Sequence, residues 1–215
     1  MLETILLQLA SLERPLVLIS DPDNLLRDET ALTSLLDAGY AVICEKALAT
    51  SSTECRAIGE AVARNRSFLA VTYNYSGYPM IRQARAMVAA GELGDIRVVQ
   101  GEYPQDWLTT DLEKSGQKQA AWRTDPKRTG AGGCVGDIGT HTYQLMCDVS
   151  GLTATELAAD LTSFVKGRVL DDNAHVMLRF KGGAKGMLWA SQVAPGNENG
   201  LKLRVYGTKG GLEWK

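Results

Sequence analysis

Apolar and polar positions follow one another along this chain in a pattern that changes once. Between residues 16 and 101, short apolar runs alternate with amphipathic segments, which predicts strands at 16–20, 41–44 and 68–72 and helices at 29–38, 53–64 and 79–90. Strands and helices in this order are typical of βαβ units, so a parallel sheet is expected. Gly39 and Gly91 stand where two of these helices need C-caps. A further amphipathic helix is predicted at 1–15.

Past Asp95 the pattern favours longer strands and a different sheet. We predict strands at 96–103, 158–165, 175–180, 185–191 and 201–206, a short one near 212–214, and a hairpin turn at Gly182 and Gly183. Consecutive strands joined in this way indicate a mainly antiparallel sheet. The polar stretch at 105–127 is predicted to be a loop that is too long for a passive connection. The expected fold class is α/β + α+β, with domains at 1–75 and 76–215.

The composition narrows the class of protein. The chain has 215 residues, 45% of them hydrophobic, which is ample material for a core. A net charge of -2 and dispersed lysines and arginines argue against a nucleic-acid partner. We expect no membrane segment, since no apolar run approaches the roughly 20 residues that span a bilayer. The four cysteines show no C-x-x-C spacing, which favours a reducing cytoplasm. With two histidines and scattered cysteines, we assign no metal site.

The first candidate for chemistry follows a glycine-rich loop at 130–133. Asp137 and His141 lie four residues apart where the loop is expected to become a helix, so one helical face would carry both side chains. A carboxylate in a first turn and an imidazole one turn later form the outline of a general acid/base. The alternative is that Asp137 is an N-cap residue and His141 a packed histidine. The second histidine, His175, lies in an alternating strand and is interpreted as structural.

A second pair of charged residues follows the predicted strand at 41–44. Glu45 and Lys46 come directly after that strand, and ligands of α/β sheets bind outside the carboxyl ends of the strands. A strongly hydrated lysine at the end of an apolar strand therefore suggests a binding role. The alternative is an exposed strand-end lysine that pairs with Glu45.

The remaining candidates lie near the predicted domain boundary and in the long polar stretch. Tyr73, Asn74 and Tyr75 offer hydroxyls and an amide to a polar ligand, in a crevice of the kind that holds ligands, or they are ordinary strand-end residues. Trp122 could stack on a ligand ring and Arg123 could bond to a hydroxyl or an acid group, or the two could belong to a solvated loop that the tryptophan anchors.

In this order, the segments resemble the Gfo/Idh/MocA family of NAD(P)-dependent oxidoreductases, which act on sugars, inositols and related polyols. The resemblance covers nearly the whole chain and rests on six blocks, at 37–46, 71–75, 90–96, 122–126, 136–141 and 172–176. It implies a partial Rossmann-like nucleotide-binding domain at 1–75 and a substrate and oligomerisation domain at 76–215. It also implies a homo-oligomer, a dimer or tetramer, that forms through the antiparallel sheet.

The resemblance assigns roles to individual residues. It implies that Lys46, Asp137 and His141 are catalytic: His141 takes a hydroxyl proton, Lys46 stabilises the alkoxide and Asp137 orients the pair, while hydride passes to NAD or NADP. The implied cofactor-binding residues are Asp21, Pro22, Asp23, Glu45 and Lys46. The implied substrate-binding residues are Tyr73, Asn74, Tyr75, Trp122, Arg123, Asp137 and His141.

Departures from the family pattern accompany these matches. The chain has no opening strand with a G-x-G-x-x-G turn, whose backbone amides would hold the cofactor pyrophosphate. Asp21, Pro22 and Asp23 stand where the family prefers Thr-Pro-Asn, and Ala47 stands where it has proline. We therefore expect a chain that is truncated at both ends relative to the family and that binds NAD(P) weakly or not at all.

Three classes of function remain open at this point. The first is a sugar or polyol dehydrogenase. The second is an enzyme that keeps the acid/base pair without hydride chemistry, such as an isomerase, dehydratase or lyase. The third is a non-catalytic binding or oligomerisation module.

Overall fold

The computed structural model describes residues 15–19 and 29–215. The chain divides into two compact units, Met1–Tyr73 (unit 1) and Asn74–Lys215 (unit 2). The helix predicted before Pro15 and the predicted cofactor residues Asp21, Pro22 and Asp23 lie outside the described residues. In the part of the chain that is described, no helix is both long and apolar enough to cross a bilayer.

The described residues of unit 1 form a parallel sheet of three strands. Its elements in chain order are β1 (Leu16–Ile19), α1 (Glu29–Asp37), β2 (Ala41–Cys44), α2 (Ser52–Asn65) and β3 (Leu69–Val71), and the strand order is β1-β2-β3. The parallel βαβ arrangement predicted from the sequence is confirmed, with bounds that differ by one or two residues.

Local signals explain where the helices of unit 1 begin and end. Ser51 caps α2: its hydroxyl accepts a hydrogen bond from the Glu54 amide at 3.2 Å, and the Glu54 carboxylate accepts one from the Ser51 amide at 2.9 Å. Gly39 follows α1 with a φ of +86°, a conformation that glycine adopts without strain. The core lies between the helices and the sheet, and its buried members are Leu32, Leu36, Val42, Cys44, Ile58 and Ala61.

Unit 2 contains a six-stranded mixed sheet. Its strands are β4 (Ile96–Pro104), β5 (Ala154–Thr162), β6 (Asn173–Phe180), β7 (Lys185–Ser191), β8 (Lys202–Gly207) and β9 (Gly211–Trp214), and their order is β5-β6-β7-β4-β8-β9. Every neighbouring pair is antiparallel except β4 and β7, which run parallel. The predicted mainly antiparallel sheet is confirmed, and the hairpin at Gly182 and Gly183 joins β6 to β7.

The helices of unit 2 are α3 (Pro79–Ala89), α4 (Lys118–Arg123), α5 (Pro126–Thr129) and α6 (Thr140–Ser150). Helices α3 and α6 pack on each other and on strands of the sheet. Helix α6 lies so close to β4 that a Cβ at Gly101 would stand 2.5 Å from Cγ2 of Thr142. Val99, Leu145, Met146 and Leu203 are buried in the core between them. The strand residues Leu157, Met177 and Met187 are exposed.

Two expectations for unit 2 were wrong. The strand predicted at 158–165 is β5, Ala154–Thr162, and it ends early because the amides of Phe164 and Val165 donate to the Asp172 carboxylate rather than to a neighbouring strand. The stretch at 105–127 is not a plain loop. The Gln117 side chain accepts from the Ala120 amide at the start of α4, and Asp125 accepts from the Lys127 amide at the start of α5.

Candidate active site

The predicted acid/base pair lies where a wide helical turn becomes an α-helix. Residues Val135–Gly139 form a single π-helical turn, and α6 continues from Thr140. Asp137 is in the wide turn, where its amide donates to the Gly133 carbonyl at 2.9 Å, and His141 is the second residue of α6. The sequence predicted a plain helix here. Turns of this kind are rare and are found frequently at functional sites.

The Asp137 carboxylate is held by two donors from distant parts of unit 2. Its Oδ2 accepts a hydrogen bond from Nε of Arg123 at 3.0 Å and another from Nε2 of Gln192 at 2.9 Å. The side chains of Asp137 and Arg123 are 16% and 23% exposed, so their charge-assisted bond is partly shielded from water. Two fixed donors give this carboxylate one orientation.

Arg123 is itself held by aromatic rings. Its guanidinium carbon lies 4.0 Å from the ring centroid of Trp122 and 5.8 Å from that of Trp107. Trp122 is buried, and its indole nitrogen donates to Oε1 of Gln119 at 3.1 Å. Trp122 therefore supports Arg123, and its contact with a sugar stays a prediction.

The His141 imidazole is buried against two tyrosines. Its ring meets Tyr75 edge to face with centroids 4.9 Å apart, and the ring of Tyr103 is 6.3 Å away. The two phenol oxygens lie 2.6 Å from each other, and the Tyr103 hydroxyl donates to Oδ1 of Asn199 at 2.6 Å. Burial raises the pKa of Tyr103, and the bond to Tyr75 raises it further, so this phenol stays protonated. The two tyrosine rings that pack on the imidazole thus belong to a hydrogen-bonded group of two hydroxyls and the Asn199 amide.

Unit 1 holds three other predicted residues that the structure describes, Glu45, Lys46 and Tyr73. Glu45 and Lys46 follow β2 directly; Glu45 is exposed, and its Oε2 accepts a hydrogen bond from the Thr72 hydroxyl at 2.9 Å. Lys46 is half-buried, and the peptide bond between it and Ala47 is cis. Tyr73 is the last residue of unit 1 and is half-buried.

Of the three residues at the predicted boundary, Tyr75 lies at the imidazole. Asn74 and Tyr75 belong to the short 3-10 turn Asn74–Gly77 at the start of unit 2, and Asn74 is exposed. The structure therefore brings together Tyr75, Arg123, Asp137 and His141 within unit 2. The roles assigned to all of these residues stay predictions.

Sequence reasoning missed four polar residues of this site: Tyr103, Gln105, Gln192 and Asn199. Gln105 donates to Oδ1 of Asn199 at 2.9 Å, and Gln192 bonds to Asp137. Gln105 and Gln192 each follow directly on a strand, β4 and β7, the same signal that drew attention to Lys46. Because β4 and β7 are parallel, their carboxyl ends meet at one edge of the sheet, with Pro104 opposite Ser191. We expected a mainly antiparallel sheet, so the sequence did not indicate that the ends of β4 and β7 lie side by side.

Comparison with known proteins assigns the chain to a family. Residues 81–213 match the model of the Gfo/Idh/MocA C-terminal domain, so the chain belongs to the Gfo/Idh/MocA family. It is 38% identical to the uncharacterized oxidoreductase YfiI of Bacillus subtilis, over 83% of this chain and 46% of that protein.

Solved structures agree with this assignment. An oxidoreductase from Sinorhizobium meliloti is 47% identical with a TM-score of 0.77, over 93% of this chain and 51% of that one. An inositol dehydrogenase homolog from Azotobacter vinelandii, complexed with NAD+, is 34% identical with a TM-score of 0.87, over 99% of this chain and 55% of that one. The chain thus spans about half the length of the relatives it matches.

Proposed function

We propose that this chain carries the acid/base part of an NAD(P)-dependent dehydrogenase that oxidises a secondary alcohol of a sugar, an inositol or a related polyol. The observation that carries the proposal is the surroundings of His141. The buried imidazole packs against Tyr75 and Tyr103, whose hydroxyls bond to each other and to Asn199, and it is close in sequence to a carboxylate that two donors hold in place. The family supports the same chemistry, since one related structure is that of an inositol dehydrogenase homolog with NADH and myo-inositol.

In this proposal, residues of unit 2 transfer the proton and bind the substrate. His141 takes the proton of the reacting hydroxyl, because an imidazole can accept and return a proton near neutral pH. Asp137, fixed by Arg123 and Gln192, keeps its negative charge in one place and stabilises the protonated imidazole. The hydroxyl of Tyr75 and the amide of Asn199 offer donors and acceptors to the other hydroxyls of a polyol.

Unit 1 supplies the second charged group of the proposal. The family resemblance assigns this role to Lys46, because a positively charged ammonium lowers the energy of an alkoxide. NAD(P), when bound, supplies the acceptor for the hydride that leaves the alcohol carbon.

The residues of unit 1 fit such a cofactor in part. The carboxylate of Glu45, the ammonium of Lys46 and the hydroxyl of Thr72 all lie at the carboxyl ends of β2 and β3, and they suit ribose hydroxyls. A pyrophosphate needs backbone amides in a glycine-rich turn. The glycines among residues 1–73 are Gly39, which ends α1, and Gly59, inside α2. The fit therefore extends to the ribose and not to the pyrophosphate.

A second candidate function rests on the same proton-transfer residues. A non-redox enzyme, such as an isomerase, dehydratase or lyase for sugar-like substrates, uses the same Asp137 and His141 for proton transfer and needs no dinucleotide to accept a hydride. The contacts of Asp137 and His141 serve proton transfer alone, so they suit this function as well.

Isotope transfer separates the two functions. The chain is incubated with NAD+ or NADP+ in excess and with inositols and sugars that carry deuterium on the carbinol carbons, and the dinucleotide and the substrate are analysed by mass spectrometry. Deuterium in the reduced dinucleotide, lost in His141→Ala and retained in the control His175→Ala, is the expected result. Isomerised or dehydrated substrate without reduced dinucleotide would support the second function, and no conversion of any substrate would contradict both.

A further inference from the structure

Asp171, a buried residue outside the proposed catalytic set, accepts hydrogen bonds from the segment that precedes Asp137. Three consecutive backbone amides donate to Asp171: that of Gly133 to Oδ1 at 2.7 Å, that of Cys134 to the main-chain carbonyl at 2.8 Å, and that of Val135 to Oδ2 at 2.9 Å. The Cys134 thiol donates to the same Oδ2 at 3.1 Å. Asp171 is 9% exposed, so all of these bonds are shielded from water.

These contacts act as a cap supplied from a distant part of the chain. The first amides of a helix have no partner within the helix, and a side chain of the preceding residues usually accepts them. Cys134 occupies the N-cap position of the wide turn and makes no such bond. Asp171, just before β6, replaces the local cap, and its approach requires a glycine, because a Cβ at Gly133 would lie 2.0 Å from the Asp171 carbonyl oxygen.

The wide turn connects the residues that Asp171 holds to Asp137 and His141. Asp137 lies two residues after Val135, and its amide donates to the carbonyl of Gly133, whose own amide is bonded to Asp171. The loop at 130–133 contains three glycines, so its own conformational preferences fix little of the path into the helix. The rotation of the helix start, and with it the direction of the Asp137 and His141 side chains, depends on an outside anchor.

We propose that Asp171 is a positioning residue for Asp137 and His141. It sets the start of the π-helical turn and thereby the direction in which the carboxylate and the imidazole point. The inference rests on the proposed function only for the chemistry that this pair performs; the geometric claim stands on the contacts themselves.

The neighbouring residue Asp172 provides a matched control. Its carboxylate is also buried, but it accepts from the amides of Phe164 and Val165 and from Arg168, and makes no bond to residues 133–135. The substitutions Asp171→Asn and Asp172→Asn both replace one oxygen acceptor of a buried carboxylate with a donor. Both are expected to lower stability, and only the first alters the start of the helix.

The two histidines of the chain allow a direct readout by NMR of the imidazole carbon-bound protons. His141 reports on the site, His175 is exposed and serves as the internal reference, and the variants His141→Ala and His175→Ala assign the two signals. In Asp171→Asn, the His141 signal is expected to move by several line widths while that of His175 stays in place. In Asp172→Asn, both signals are expected to stay. Equal displacement of the His141 signal in the two variants, or no displacement in a folded Asp171→Asn, would overturn the proposal.

A measurement on the unmodified chain guards against a variant that does not fold. Hydrogen exchange of the amides of residues 133–135 is expected to be as slow as that of the central strands of the sheet, because Asp171 accepts all three. Exchange at the rate of an open loop would overturn the anchoring role. In a kinetic assay, Asp171→Asn is expected to lower kcat and shift its pH profile with little change in KM, whereas Asp172→Asn leaves both in place. An unmodified chain that shows no turnover refutes the proposed function, and the NMR result still decides the positioning role.

Discussion

The buried guanidinium of Arg168 gives the sharpest test of what stabilises unit 2. Its side chain is 1% exposed and uses all five of its N–H donors: two to the Glu113 carboxylate, one to Asp172, and one each to the carbonyls of Leu108 and Thr110. The arginine thereby holds the segment at 108–113 against the residues that precede β6. We predict that Arg168→Ala destabilises unit 2 strongly.

The magnitude follows from what the substitution leaves behind. The side chain of Asp172 is 1% exposed, so removal of its cation leaves a buried charge, and breaking such a pair costs about 3–5 kcal/mol. Two backbone amides still donate to Asp172, which places the expected loss at the lower end, about 3 kcal/mol. With a slope of about 2 kcal/mol per molar urea, the unfolding midpoint falls by about 1.5 M.

Tryptophan fluorescence during urea titration measures this loss in the right unit, because all four tryptophans lie in unit 2. Arg179→Ala is the matched control: Arg179 pairs with Glu156 at the surface, where both side chains are more than 60% exposed, and its loss costs about 0.5 kcal/mol. If Arg168→Ala shifts the midpoint no further than Arg179→Ala, the buried network does not stabilise unit 2.

The pH dependence of unfolding gives a second test of the same network. Burial raises the pKa of Glu113, but the Arg168 bonds outweigh it and the pKa is lowered, so its share of stability is present above the unfolded pKa and is lost as pH falls through the folded value.

Three further predictions concern catalysis, the cofactor and assembly. In an assay of dinucleotide reduction, His141→Ala lowers turnover by about 10²- to 10⁴-fold with a smaller change in KM. Lys46→Ala also lowers turnover, whereas His175→Ala leaves turnover near wild type. If the near-neutral limb of the pH profile of turnover persists in His141→Ala, another group transfers the proton. Isothermal titration calorimetry of this chain with NAD+ and NADP+ will show weak binding, because the sequence has no glycine-rich phosphate turn, and a dissociation constant in the low micromolar range would contradict this. Light scattering at micromolar concentration will show a dimer that forms through the exposed face of the six-stranded sheet, and Met177→Glu will weaken it; a monomeric mass for the unmodified chain would contradict it.

Much of the fold could be predicted from the sequence, because local signals and the core agree. The apolar runs of unit 1 coincide with its three strands, and the Ser51 cap and Gly39 mark helix ends in the structure. The errors lie where distant side chains override local preference. Asp172 draws Phe164 and Val165 out of the strand predicted for them, which no pattern within 158–165 reveals.

The candidate site was predictable only in its local part. Asp137 and His141 stood out because they are close in sequence, and Tyr75 stood out because it lies near the predicted domain boundary. The contacts of Asp137 with Arg123 and Gln192 span 14 and 55 residues and depend on how α4 and β7 pack. Such contacts have no periodicity, so single-sequence reasoning could not place these partners around the carboxylate.

The position of β4 in the middle of its sheet has a consequence for the order of folding. Strands β5, β6 and β7 are consecutive neighbours, and so are β8 and β9, whereas β4 pairs Val99 with Gly186 of β7 and with Val205 of β8. These partners are far from Val99 in sequence. Closing such long loops costs more entropy than forming a hairpin, so these pairings form more slowly. We therefore expect the two hairpin groups to form first and β4 to insert between them last. Until then β7 and β8 present unpaired edges to other chains, so the refolding yield of this protein should fall as its concentration rises.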